Sequence, residues 1–124
     1  MDIDIAARSI EHIASEHAVT LGLSGGTSVR IETSLVLTEA GQASMPIDPQ
    51  NLETDQDLLR VLLGHTVEHA VADDGGSLTI TFDNGATLTV APDPDFEAWS
   101  ITCPNGAIVL SLDGGGLSRW GARK

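Results

Sequence analysis

The segment His65-Thr66-Val67-Glu68-His69 matches the pattern H-x-x-E-H, which occurs in a group of zinc peptidases. Those enzymes need both histidines on one face of a helix, together with a further carboxylate ligand downstream. Gly64 directly precedes His65 and predicts the end of a helix, so the five residues should begin an extended segment. In a strand, His65, Val67 and His69 point one way and Glu68 points the other. We therefore predict a structural role for this segment and no metal site.

Acidic residues are concentrated at two places in the second half of the chain, Asp73-Asp74 and the alternating set Asp93, Asp95 and Glu97. Alternating carboxylates could hold a hard cation through oxygen ligands. The spacing differs from that of an EF-hand loop, however, and no glycine provides the central turn. We predict a solvated acidic loop or a patch for a basic partner, with these five residues as the candidate partner-binding residues.

Two further stretches contain residue types used in phosphate binding or nucleophilic catalysis. The run Asp113-Gly114-Gly115-Gly116-Leu117-Ser118 resembles a phosphate-binding loop, but it has no Lys and no long helix after it. Cys103 is predicted inside a strand, and no Ser lies in a G-x-S-x-G turn. We predict no catalytic residue, no resident metal and no cofactor.

The elements that carry these residues form an internal repeat, which appears when the chain is compared with itself. Ser9-Ile10-Glu11-His12 aligns with Thr66-Val67-Glu68-His69. The later segments align in the same order: Val19–Leu23 with Leu78–Phe82, Gly25-Gly26 with Asn84-Gly85, Val29–Ile31 with Leu88–Val90, then more weakly Leu35 and Leu37 with Trp99 and Ile101, and Met45 and Ile47 with Leu110 and Leu112. Two copies of one β unit explain the match, and chance similarity between alternating strands is the rival explanation. His12 and His69 are equivalent, and whether they meet to bind a metal stays open.

Each copy has the pattern of β-hairpins. In the second copy, apolar residues alternate with threonines on both sides of Asn84-Gly85, which predicts a hairpin with a type I′ turn because both residues tolerate positive φ. Ser24-Gly25-Gly26 has the same role in the first copy. A further hairpin is predicted with its turn at 104–106. Its apolar face consists of Trp99, Ile101 and Cys103, returning through Ile108, Leu110 and Leu112.

Between the copies the apolar period becomes that of a helix. Leu58 and Leu62, like Leu59 and Leu63, are four positions apart, and Gly64 is placed to end the helix. The pattern predicts one amphipathic helix over 55–63. We therefore predict a single mainly-β or α+β domain: a first β unit at 1–49, a linking helix at 50–64 and a second β unit at 65–124. Hairpin-rich antiparallel sheets and a barrel are both compatible with the pattern.

The charge balance narrows the class of partner. The formal net charge is -12, and no Lys or Arg occurs between Arg60 and Arg119. A field of this sign repels phosphate backbones and anionic lipids and accelerates encounter with basic proteins, so we expect neither nucleic-acid nor membrane binding. Acidity that serves only solubility is the alternative. The lone Cys103 and an N-terminus without a basic apolar leader predict a cytoplasmic protein.

The second half of the chain resembles a family of short proteins from high-GC Gram-positive bacteria, known as a domain of unknown function. The shared elements are an L-x-G-x-x-V opening at Leu62, Gly64 and Val67, a hairpin of the L-x-F-x-x-G type at Ile80, Phe82 and Gly85, the triplet Glu97-Ala98-Trp99, and the terminal glycines followed by Trp120. The family's pattern has a proline before those glycines, where this chain has Asp113. The resemblance implies the fold and a cytoplasmic bacterial setting, and it implies no activity.

Three hypotheses for function follow. The first is a non-enzymatic protein-binding module that recognises a basic protein, the clearest example being an immunity protein that neutralises a toxin. The second is a structural or self-assembling β protein, in which case a homodimer is expected. The third and least favoured is a metal-dependent enzyme that uses His65, His69 and the acidic residues at 93–97.

Overall fold

The computed structural model describes residues 3, 5–15, 18–39, 41, 43–48, 60–93, 97–103, 108–111 and 116–120. Nearly all regular structure among them is β-strand, as the alternation of apolar residues with Thr and Ser predicts. The strands are β1 (Ile10–Ser15), β2 (Val19–Leu23), β3 (Thr27–Ile31), β4 (Leu35–Thr38), β5 (Met45–Ile47), β6 (Val67–Ala72), β7 (Leu78–Phe82), β8 (Thr87–Val90), β9 (Trp99–Thr102), β10 (Ile108–Ser111) and β11 (Leu117–Trp120).

These strands form two antiparallel sheets. One has six strands in the order β1-β2-β3-β9-β10-β11, and the other has five in the order β5-β4-β8-β7-β6. Alternate residues of the strands are buried, and the buried residues of both sheets belong to one apolar core. The sheets therefore pack face to face as a sandwich. Trp99 and Phe82 are buried in a core otherwise made of aliphatic side chains.

Each sheet combines strands from both halves of the chain. In one sheet β3 pairs with β9, which sets Ile31 opposite Trp99. In the other, β4 pairs with β8, which sets Leu35 opposite Val90. When β1–β5 are matched to β6–β10, the two sheets have the same order, β1-β2-β3-β9-β10 and β6-β7-β8-β4-β5. The two copies therefore exchange their last two strands, as the subunits of a pseudo-twofold pair would.

The backbone repeat extends further toward the N-terminus than the sequence alignment does. The amide of Ala7 donates to the carbonyl of Val67 at 2.8 Å, and the equivalent amide of Gly64 donates to the carbonyl of Ile10 at 2.9 Å. Ala7 has a φ of 68° and Gly64 a φ of 80°. Ala7 is the one non-glycine residue with positive φ in the described part of the chain. It occupies the position where the second copy has glycine, the residue best suited to that conformation.

The predicted linking helix can be compared with the structure only at its last turn, because residues 49–59 lie outside the described part. There, Arg60–Leu62 is a 3₁₀ turn, and no α-helix occurs among the described residues. Leu62 is fully buried, and the positive φ of Gly64 agrees with its predicted place after a helical turn. The described strands form two open sheets and no closed barrel, so the barrel alternative is wrong for them.

The predicted hairpin at Asn84-Gly85 is confirmed, but its turn type is wrong. The amide of Gly85 donates to the carbonyl of Phe82 at 3.0 Å, and the amide of Phe82 donates to the carbonyl of Ala86 at 2.9 Å. Only Gly85, with a φ of 84°, has positive φ in this loop. A loop of three residues needs one left-handed position at its end, whereas a type I′ turn needs two in succession.

The strand register after the next hairpin also differs from the prediction. Val109, which the predicted apolar face did not include, lies opposite Ile101 and packs against the core, and the side chains of Ile108 and Leu110 lie outside the described part of the structure. Leu112 lies outside the described residues. Cys103 follows the end of β9, where it is half-buried and unpaired in a disulfide. A shift of one residue exchanges the two faces of a strand, because side chains alternate.

Candidate partner-binding site

One end of the sandwich carries acidic residues from several turns. Its described parts are the turn 73–77, the connection 32–34 from β3 to β4, and residues 91–93 and 97–98 of the connection from β8 to β9. Both connections cross between the sheets at the same end, since Ile31 pairs with Trp99 and Leu35 pairs with Val90. We call this surface the acidic end, and its described acidic residues are Glu32, Asp73, Asp74, Asp93 and Glu97.

Asp73 fixes the shape of the turn between β6 and β7. Its carboxylate oxygen Oδ1 accepts a hydrogen bond from the amide of Ser77 at 3.0 Å, and its own amide donates to the carbonyl of Ser77 at 3.0 Å. Gly76, with a φ of 99°, donates its amide to the carbonyl of Asp73 at 3.0 Å. Asp side chains commonly stabilise turns in this way. Asp73 and Asp74 are therefore exposed on a turn whose backbone is held in place.

Trp99 connects this turn to the end of the connection from β8 to β9. Its side chain is 1 % exposed, which agrees with its predicted place on the apolar face of a strand, and its Nε1 donates to the carbonyl of Gly76 at 2.8 Å. Ala98 is also buried, whereas Glu97 is exposed. In the triplet Glu97-Ala98-Trp99, the buried residues Ala98 and Trp99 anchor the backbone, and the carboxylate of Glu97 lies at the surface.

Asp93 is held by the equivalent connection of the first copy. The hydroxyl of Thr33 donates to Oδ2 of Asp93 at 2.9 Å, and the amide of Glu32 donates to the carbonyl of Ala98 at 2.8 Å. Asp93 is half-buried, so part of its role is to join the two connections. Asp95 lies outside the described residues. The structure therefore brings Asp73, Asp74, Asp93 and Glu97 to one end of the molecule, and Asp73 and Asp93 also stabilise its backbone.

Few described cations oppose this charge. Arg8 lies at the end of the sandwich opposite the acidic end, where its guanidinium donates to the carbonyl of Ser24 at 2.8 Å. Arg60 begins the 3₁₀ turn that precedes Gly64, near the same end as Arg8. Arg30, on β3, forms an ion pair with Glu32, with Nε 3.4 Å from Oε1. The side chains of that pair are 53 % and 45 % exposed, so water screens their attraction. Arg30, the arginine that the structure describes beside the acidic end, is nevertheless paired with Glu32.

The segment from His65 to His69 forms the start of a strand, as predicted. Its predicted facing is wrong in one respect, because Val67 is buried whereas His69 is exposed. The register shifts between these two residues, at Glu68, and such a bulge moves the following side chain to the opposite face. Nδ1 of His65 lies 2.8 Å from Oδ1 of Asp83, in a pair of half-exposed side chains.

The structure also answers whether the two equivalent histidines meet. His12 lies opposite Gly22 on the outer face of the six-stranded sheet, and His69 lies opposite Thr81 on the outer face of the five-stranded sheet. The core separates these faces, so the two histidines do not share a site. In the part of the chain that the structure describes, no group of three or more His, Cys, Asp or Glu side chains could hold a metal ion. No helix in that part is long and apolar enough to span a membrane.

Sequence reasoning missed the uncharged residues that organise the acidic end. Thr33 and Gly76 make hydrogen bonds to Asp93 and Trp99, but neither belongs to a recognisable motif. Glu32 was also missed because it stands alone in the sequence, far from the acidic segments that it joins in space. The Gly76 turn had a local signal, since Asp73-Asp74-Gly75-Gly76 is typical of a tight turn.

The described residues thus define a two-layer antiparallel β-sandwich with a pseudo-twofold repeat and an acidic end. The chain belongs to DUF6188, a family of unknown function, whose model matches residues 1–121. The match covers both copies of the repeat, whereas the resemblance in the sequence was clearest in the second half. No curated protein and no solved structure matches this chain.

Proposed function

We propose that the protein is a non-enzymatic binding module whose acidic end docks on a basic protein. The observation that supports the proposal is the position of Asp73, Asp74, Asp93 and Glu97 at one end of the sandwich, on turns held by hydrogen bonds. A preorganised charged surface loses little conformational freedom on binding. Its charge accelerates encounter with a cationic partner and selects against anionic ones.

The kind of partner follows from the same charge. A basic toxin is the clearest case, with this protein acting as the cytoplasmic immunity protein of a bacterial cell that also makes the toxin. Blocking such a toxin requires a stable folded surface and no catalytic step. The formal net charge of -12 also disfavours a nucleic acid as the direct ligand, because phosphate groups would be repelled.

Affinity purification from the native host tests whether a partner exists. Tagged protein is purified at low salt and then at moderate salt, and the retained proteins are identified by mass spectrometry. We expect one stoichiometric basic protein, encoded beside this chain and partly released as salt screens the contact. Recovery of the protein alone at low salt would count against the proposal.

Charge reversal with a matched control tests the acidic end itself. Asp74→Lys with Glu97→Lys alters the acidic end, and Glu11→Lys with Glu68→Lys makes the same change in net charge at exposed residues elsewhere. Asp73 and Asp93 are left unchanged because their carboxylates hold the backbone. Association with the captured partner should slow by about tenfold or more at low salt for the first pair, and much less for the control. Equal slowing by both pairs would show that overall charge matters and that this surface does not.

A further inference from the structure

Asn84 and Gly85 are both exposed in the loop between β7 and β8, where an asparagine and a following glycine can undergo a covalent change. Gly85 has no side chain to shield its backbone nitrogen. After losing its proton to a base in the solvent, that nitrogen can attack Cγ of Asn84. The new bond closes a succinimide ring, and the side-chain nitrogen of Asn84 takes up a proton and leaves as ammonia. Water then opens the ring at either carbonyl, which gives aspartate or isoaspartate.

Three hydrogen bonds oppose this reaction in the folded hairpin. The amide of Gly85, which must lose its proton before it attacks, donates to the carbonyl of Phe82 at 3.0 Å. Oδ1 of Asn84 accepts from the amide of Ala86 at 3.0 Å, and Nδ2 of Asn84 donates to the carbonyl of Val61 at 3.4 Å. The first bond keeps the attacking nitrogen protonated, and the other two hold the side chain at both of its polar atoms. The closed loop therefore protects Asn84.

We propose that Asn84 is a site of deamidation that reacts when the loop between β7 and β8 opens locally. Opening separates the amide of Gly85 from the carbonyl of Phe82 and releases the side chain of Asn84, so the nitrogen can be deprotonated and can reach Cγ. Because Asn84 and Gly85 are already exposed, this opening uncovers little buried surface and costs less free energy than unfolding of the whole domain. The rate of modification in the folded protein is then set by how often the loop opens.

The products differ from asparagine in ways that the loop cannot reverse. Isoaspartate continues the main chain through Cβ and Cγ, which lengthens a loop whose ends are joined by the amide of Phe82 and the carbonyl of Ala86 at 2.9 Å. Aspartate keeps the loop length but places a second carboxylate beside Asp83, whose Oδ1 lies 2.8 Å from Nδ1 of His65. The loop lies at the end of the sandwich opposite the acidic end, so neither product alters the proposed partner surface.

Incubation of the full chain at mildly alkaline pH tests the proposal, with folded protein compared with protein unfolded in urea. Peptide mass spectrometry follows the mass change at Asn84, and enzymatic carboxyl methylation detects isoaspartate. Asn105, which also precedes a glycine, calibrates the rate in the unfolded chain. We expect Asn84 to react in both samples, and about tenfold or more slowly in the folded protein. Equal rates in the two samples, or no product from the folded protein, would overturn the proposal.

Two matched variants distinguish local opening from unfolding of the whole domain. Ala86→Gly loosens the backbone beside the loop but keeps the amide that donates to Asn84, whereas Ala72→Gly makes the same change at a buried residue near the acidic end. Ala86→Gly should accelerate deamidation of the folded protein about threefold or more, because glycine raises the population of the open loop. Ala72→Gly should have a smaller effect, after urea titrations have verified comparable stability. Equal acceleration by both variants would assign the reaction to global unfolding and refute local opening.

Discussion

The hydroxyl of Thr27 offers a quantitative test of the packing at the pseudo-twofold repeat. Thr27 begins β3 on the core side, its side chain is 1 % exposed, and its Oγ1 has no hydrogen-bond partner. The equivalent residue of the second copy is Ala86, also 1 % exposed. The first copy therefore buries a polar group where the second copy has only a methyl group.

Replacing that hydroxyl with a methyl group in Thr27→Val should stabilise the fold. An unsatisfied buried hydroxyl costs about 1–3 kcal/mol, and a buried methyl group contributes about 0.8 kcal/mol, so a net gain is expected whose lower bound is about 2 kcal/mol. With an unfolding entropy of about 2.1 cal/mol/K per residue, this lower bound corresponds to a rise in Tm of about 8 °C. Valine is also β-branched, so the strand preference of the position is retained.

Thermal and urea unfolding of three variants isolate the cause. Thr27→Ser keeps the hydroxyl and loses the methyl group, so it should be less stable than the original chain by about 1 kcal/mol. Thr102→Val makes the same chemical change at an exposed position and should alter stability by less than about 0.5 kcal/mol. If Thr27→Val were no more stable than the original chain, the hydroxyl would have a bound partner and the argument from unsatisfied burial would fail.

Two further substitutions probe the repeat and the acidic end. Ala7→Gly should stabilise the protein by up to about 1 kcal/mol, since relief of the left-handed strain at a φ of 68° exceeds the entropy that glycine adds to the unfolded chain. Gly64→Ala, at the equivalent position, should destabilise it by about 1 kcal/mol in the same urea titration, and the reverse order would refute the equivalence. Trp99→Phe should cost about 2 kcal/mol because it leaves the Gly76 carbonyl without its indole donor, while the far-UV circular dichroism stays unchanged. Unaltered stability of Trp99→Phe would show that this hydrogen bond does not hold the turn.

Local sequence patterns predicted the strands but not their partners. Alternation along Leu78–Phe82 and Thr87–Val90 identified a hairpin correctly, because adjacent strands are joined by a short turn that the residues themselves encode. Pairing of Ile31 with Trp99 has no such local signal. The exchange of strands between the two copies depends on how the apolar faces of both sheets pack into one core. Strand propensity and alternation, which are local, do not carry that information.

The error in the predicted facing of His69 arose where one residue was added to a strand. The bulges before His12 and His69 interrupt the alternation, so the residues on either side of them face differently from the simple pattern. The side chain at such a position has no distinctive type, and both copies have a glutamate there. The repeat itself could have revealed the bulge, because in both copies an apolar residue is followed by two polar residues, Glu and His, where strict alternation has only one.

For the candidate site, the sequence predicted the charges but not their assembly. Asp73-Asp74 and Glu97 were identified from acidic composition, and the structure adds that Trp99 joins their turns through the carbonyl of Gly76. Asp93 was predicted to be a solvated binding residue, whereas it is half-buried and bonded to Thr33. A carboxylate with a donor sixty positions away cannot be distinguished from a solvated one by sequence alone.

The exchange of strands between the two copies has a consequence for how the chain is made. As the protein leaves the ribosome, β3 emerges before its neighbour β9, and more than half of the chain must be synthesised between Ile31 and Trp99. At a synthesis rate of about 5–20 residues per second, the edge of β3 that pairs with β9 remains unpaired for several seconds. Unpaired edges of this kind attract other strands, so the nascent chain needs protection during that interval. Cells that make large amounts of this protein quickly should therefore depend on chaperones more than its small size would suggest.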